Sequence, residues 1–105
     1  MSRLQEILAE LRRLYESTYG DRLVKLVLFG SQARNDAEPD SDIDVMVVLR
    51  GQVTAAEERR VTDDAVSRLC LKYDVLISPV YVSEERFVKG GSPLLLNVRR
   101  EGVAV

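Results

Sequence analysis

Two short apolar runs, residues 26–29 and 45–49, limit what this chain can fold into more than any other feature. Each has the length of a buried strand and is bounded by residues that interrupt one. Gly30-Ser31 breaks the first run and opens a turn or a short helix, and Ser41-Asp42-Ile43-Asp44 leads into the second. Strand side chains alternate faces, so Asp42 and Asp44 project the same way where the second strand begins. Ile43, Val45 and Val47 share one face; Asp44, Met46 and Val48 share the other. Two like charges on one face repel. A sequence tolerates that when a cation lies between them or when water solvates both. A carboxylate at the edge of an apolar strand is partly desolvated, which costs unless it is paired or metal-bound.

The remaining segments alternate helix and strand. Residues 2–19 carry Leu4, Ile7, Leu8, Leu11, Leu14 and Tyr15 at helical spacing, with Ser2 and Gln5 as a capping box and Gly20 as a stop. Residues 22–29 form the first strand, and residues 31–35 one or two helical turns. The start of that short helix suits an anion: Gly30 admits close approach, Ser31 offers a hydroxyl, and Arg34 lies one turn on. Ser31 is equally readable as a plain N-cap. Asp36, Glu38 and Asp40 sit in a polar loop around Pro39 and read as solvated. Residues 54–72 read as a second long helix, with a Thr54/Glu57 capping box, Val61, Ala65, Val66, Leu69, Cys70 and Tyr73 as its apolar stripe, and Glu57 to Arg60 as its solvated face. Residues 74–82 make a third strand; Pro79 inside it predicts an edge position or a bulge. The long helix before it suffices for a crossover, so Asp74 can come to rest beside Asp42 and Asp44. A short helix from Ser83, a last helix from Ser92-Pro93 to Gly102 and a terminal apolar strand complete the chain.

Composition removes several classes of chemistry. The chain has 105 residues, 46% hydrophobic and 30% charged, which is the make-up of one globular domain. A formal net charge of -2, from 15 basic and 17 acidic residues, argues against a dedicated nucleic-acid binder. One cysteine excludes an internal disulfide, and the lack of histidine removes the commonest general base and zinc ligand. Chemistry here falls to carboxylates, whose natural partner is a hard cation such as Mg²⁺. No long apolar span or signal peptide is visible, so a cytoplasmic protein without membrane contact is expected.

Gly30-Ser31, the ten residues 32–41 and Asp42-Ile43-Asp44, set between strands, resemble the signature of the DNA polymerase beta-like nucleotidyltransferase superfamily. FGSQAR, SDIDVMVVL and the ending SPLLLNVRREGVAV look most like its smallest branch, the minimal nucleotidyltransferase (MNT) proteins. The resemblance covers nearly the whole chain. It implies an α/β (α+β) fold in a single domain over residues 1–105, with a small mixed sheet of three to four strands flanked by helices. It also implies ATP as substrate, two Mg²⁺ ions, Gly30 and Ser31 on the phosphates, and Arg34 as a secondary phosphate contact. Asp42, Asp44 and Asp74 would be the metal-binding catalytic carboxylates.

Nothing in the length leaves room for an acceptor-binding domain, so the acceptor site is expected from another subunit or a partner protein. MNT proteins are often paired with a small helical HEPN toxin, and the resemblance implies an antitoxin that transfers AMP to a tyrosine of that toxin. A module that neutralises its partner by contact alone, and an antibiotic nucleotidyltransferase working as a homo-oligomer, are the alternatives.

Overall fold

The structure, a computed structural model, describes residues 2–34 and 41–105. The loop reading of residues 36–40 lies outside them. Helix α1 (Arg3–Tyr19) starts on the expected capping box: Ser2 accepts from the Gln5 N–H, and the Gln5 side chain accepts from the Ser2 N–H. It ends at Gly20, whose φ of 55° lies in the region open to glycine. A 3-10 turn, Gly20–Arg22, leads into β1 (Leu23–Phe29). Then follow α2 (Ser31–Arg34), β2 (Ile43–Leu49), α3 (Ala55–Tyr73), β3 (Ile77–Ser83), α4 (Glu84–Lys89), α5 (Pro93–Glu101) and β4 (Val103–Ala104).

Among the described residues the strands form one four-stranded sheet in the order β3-β2-β1-β4. β1 runs antiparallel to β2 and β4, while β2 and β3 are parallel, joined by the α3 crossover. The sheet is therefore mixed, as expected. β2 is central and lies between two apolar layers. Ile43, Val45, Val47 and Leu49 pack with Ile7, Leu11, Val66 and Leu69 beneath α1 and α3. Met46 and Val48 face Phe87, Leu95 and Val98 of α4 and α5. This two-sided burial explains why residues 45–49 form an unbroken apolar run rather than an alternating one.

The helix readings for the C-terminal part hold. Ser83 accepts from the Arg86 N–H, Ser92 accepts from the Leu95 N–H, and Pro93 fills the first turn of α5. Three readings of α3 do not hold. Thr54 makes no side-chain cap bond; its carbonyl instead accepts from the Glu57 and Glu58 N–H groups. Val61 is 59% exposed, and Thr62 takes the core position in its place. Glu58 is only 7% exposed and does not belong to the solvated face. Its carboxylate accepts from Arg22, at 3.0 Å and 3.2 Å, and from the Tyr19 hydroxyl at 3.1 Å. The buried stripe thus runs through Glu58, Thr62, Val66 and Leu69, with a tertiary ion pair at its first turn.

Pro79 does mark an edge. Ile43 N–H donates to the Leu76 carbonyl at 2.9 Å, and Ile43 registers with Ile77. In a parallel ladder this turns the backbone groups of Ser78 and Val80 towards β2 and those of Ile77, Pro79 and Tyr81 outward. Pro79 has no N–H to present there. The outward Ile77 N–H is covered by Cys70 Sγ, at 3.4 Å. Cys70 is accordingly a core-lining thiol that also serves the sheet edge.

Candidate active site

The end of β1 and the start of β2 lie side by side, because Phe29 registers with Asp44. Gly30 therefore passes directly over the Asp44 side chain. A Cβ on Gly30 would stand 2.5 Å from Asp44 Oδ2, and Gly30 adopts a φ of 75°. Both facts require glycine: the conformation strains other residues, and the space belongs to the carboxylate. The Gly30 carbonyl caps α2 by accepting from Ala33 and Arg34, at 3.1 Å and 3.2 Å. Ser31 thus sits at the first turn, half-buried, immediately beyond the Asp44 cradle.

Asp42 is exposed and Asp44 half-buried. Burial, and then the Asp42 charge, push the Asp44 carboxyl above its usual range. The two carboxylates therefore interact, as their spacing predicts. Such a pair suits a hard divalent cation, which keeps water and phosphate oxygens as its remaining ligands. Gln32, which the sequence did not single out, donates from Nε2 to the Ser41 carbonyl at 3.2 Å and ties α2 to the approach to Asp42. Its signal lay only in its place between Ser31 and Arg34.

Arg34 keeps its place one turn on from Ser31, while Asp74 departs from its expected position at the start of the third strand. Arg34 pairs with Glu101 of α5, Nη1 to Oε2 at 3.9 Å. Asp74 is not the first residue of β3, which begins at Ile77. It is the C-cap of α3, held in the left-handed conformation (φ 53°, ψ 51°), with its N–H donated to the Cys70 carbonyl. An Asp tolerates this conformation better than most residues, so helix termination accounts for its presence. Among the described residues no three Asp, Glu or Cys side chains converge as a metal site. Asp42 and Asp44 come together; Asp74 does not join them. Asp36, Glu38 and Asp40 lie outside the described residues.

A mixed sheet carrying a Gly-Ser turn over an Asp-x-Asp pair is the arrangement that the resemblance in the sequence implies. The nucleotidyltransferase domain model matches residues 4–92, and the chain belongs to that family of enzymes. The chain is 39% identical over 75 residues to "putative protein adenylyltransferase MJ0141" of Methanocaldococcus jannaschii, covering 71% of this chain and 75% of that one. It is 36% identical over 85 residues to "putative protein adenylyltransferase MJ0604" of the same organism, covering 81% and 79%. A solved toxin-antitoxin structure with AMP-PNP shares the fold, with a TM-score of 0.67 at 18% identity, over 91% of this chain and 69% of that one. A structure described as a "putative minimal nucleotidyltransferase" superposes with a TM-score of 0.53 at 26% identity, over 96% and 87%. The minimal branch expected from the sequence is the one these similarities support.

Proposed function

We propose that the chain is an Mg²⁺-dependent adenylyltransferase that moves AMP from ATP to a hydroxyl, a tyrosine, of a partner toxin, and so acts as an antitoxin. The observation that carries this reading is the Asp44 carboxylate seated in the space left by Gly30, with Asp42 beside it. The relatives' name of protein adenylyltransferase and the fold shared with a toxin-antitoxin structure support the choice of acceptor.

In the reaction the acceptor oxygen attacks the α-phosphorus, the bond to the β-phosphate oxygen breaks, pyrophosphate leaves, and the acceptor's proton passes to solvent water. Negative charge grows on the entering and leaving oxygens. A divalent cation, when bound, offsets that charge. Asp42 and Asp44 would hold it. The Gly30-Ser31 backbone, without a side chain at Gly30, would lie against the β- and γ-phosphates, and the Ser31 hydroxyl would donate to one of them. Arg34, one turn on, would reach a phosphate by leaving Glu101.

Contact-only neutralisation is the second reading, favoured by one observation: the described residues bring two carboxylates together, not three. The test uses ATP labelled at the α-phosphate and, in parallel, at the γ-phosphate, with a HEPN-type partner protein. Adenylyl transfer leaves only the α-label on the partner, and Asp42→Asn and Asp44→Asn abolish it. Partner neutralisation that survives both substitutions, with no label transferred, establishes the contact-only module.

A further inference from the structure

The parallel ladder between β2 and β3 singles out a residue that neither the motif nor the family likeness indicated. Asp44 registers with Ser78. Ile77 and Tyr81 of β3 point into the layer under α1 and α3, while Val80 packs on the opposite one and Val82 is buried in it. Alternation therefore puts the Ser78 side chain on the same face as Asp44, Met46 and Val48. Adjacent strands lie about 4.8 Å apart, so a side chain at position 78 starts as a direct neighbour of the Asp44 carboxylate. Asp74 lies outside the strand, exposed, at the left-handed end of α3.

We propose that Ser78, not Asp74, lines the β3 side of the Asp42/Asp44 site, so that its cation is held by two carboxylates beside a hydroxyl. This rests on the adenylyltransferase reading for the presence of a cation, but not for the placement of Ser78. The geometry has an electrostatic logic. A carboxylate at position 78 would stand next to Asp44, which already sits beside Asp42 and is partly desolvated. A hydroxyl adds no charge, so the metal-free site carries two negative charges instead of three. With one divalent cation bound, the two-carboxylate site is neutral, and a carboxylate at position 78 would leave it with one negative charge and a stronger hold on the ion.

The test is a Mn²⁺ titration followed by electron paramagnetic resonance, with Mn²⁺-dependent thermal unfolding as a second readout. It compares the wild type with Asp74→Asn, Ser78→Asp and Asp44→Asn. Asn suits the left-handed position as Asp does, so Asp74→Asn keeps the fold. The expected result is unchanged Mn²⁺ affinity in Asp74→Asn and at least tenfold tighter binding in Ser78→Asp. Ser78→Asp should also unfold at a lower temperature without metal and gain more from Mn²⁺ than the wild type. Tenfold weaker binding in Asp74→Asn overturns the proposal, as does a Ser78→Asp protein that folds and binds Mn²⁺ like the wild type. If Ser78→Asp does not fold without metal, the Asp74→Asn arm decides. If the wild type binds no Mn²⁺ but Ser78→Asp does, and loses it with Asp44→Asn, the placement of Ser78 stands and the adenylyltransferase reading falls.

Discussion

At the residue scale the site depends on a missing side chain. Gly30→Ala would place a methyl 2.5 Å from Asp44 Oδ2 and hold it at a φ of 75°. The expected loss is about 1–3 kcal/mol of stability from backbone strain, read by urea unfolding, with a displaced carboxylate and weakened MgATP binding in calorimetry. Asp44 itself gives a pH dependence. Its carboxyl is raised in the folded protein by burial and by Asp42, so the native state binds the proton more readily than the unfolded chain. In a chelator-treated sample, the Asp44 contribution, read as wild type minus Asp44→Asn, should fall as pH rises from below the ordinary carboxylate range through the raised Asp44 value, while Glu10, held below its usual range by Tyr73 and Lys72, tilts both proteins the other way. Asp44→Asn should remove that contribution and unfold at a higher temperature than wild type at neutral pH. A wild-type minus Asp44→Asn difference of opposite sign would mean that Asp44 is paired in solution. The Gly-Ser turn and the Asp-x-Asp pair were legible in the sequence, because their chemistry lies in adjacent residues. The place of Asp74 was not. Asp74 is itself the left-handed end of α3, Val75 and Leu76 separate it from the strand, and a sequence does not show where a ladder starts.

At the element scale, α3 is fastened by groups that pattern alone could not pair. Glu58 stands in a run of charges, and its partners Arg22 and Tyr19 come from the far end of α1 and the turn after it. A charge run reads as solvated until the tertiary fold supplies a guanidinium. Arg22→Met leaves Glu58 buried and uncompensated. The expected cost is about 3 kcal/mol, and Arg22→Met/Glu58→Leu together should recover most of it in denaturant unfolding. Three hydroxyls join α1, α3 and β3. Thr62 Oγ1 donates to the Glu58 carbonyl at 2.9 Å, so it accepts from Tyr81, which in turn accepts from Tyr15 at 2.9 Å. The order makes the deletions unequal. Tyr81→Phe strands the fully buried Tyr15 hydroxyl and should cost about 1–3 kcal/mol, whereas Tyr15→Phe leaves Tyr81 bonded to Thr62 and should cost less. Equal costs in matched urea titrations would show that the donors run the other way. Helices and strands themselves were readable from apolar spacing and caps; these cross-element bonds have no local signature.

At the scale of the whole molecule, the first half of the outer edge of β3 offers no free N–H to another strand. Cys70 Sγ occupies the Ile77 N–H, and Pro79 lacks one. Pro79→Val restores an outward donor in the middle of a seven-residue edge. The expected outcome is concentration-dependent self-association in sedimentation velocity, absent from the wild type under the same conditions. A sheet edge blunted in this way bears on how such a molecule can acquire partners over time. Backbone pairing is indifferent to side chains and would let one strand accept many others. With that route narrowed at Ile77 and Pro79, recognition on this side leans on side chains. Single substitutions can then redirect it towards one partner and away from a close relative without touching the fold that holds the site.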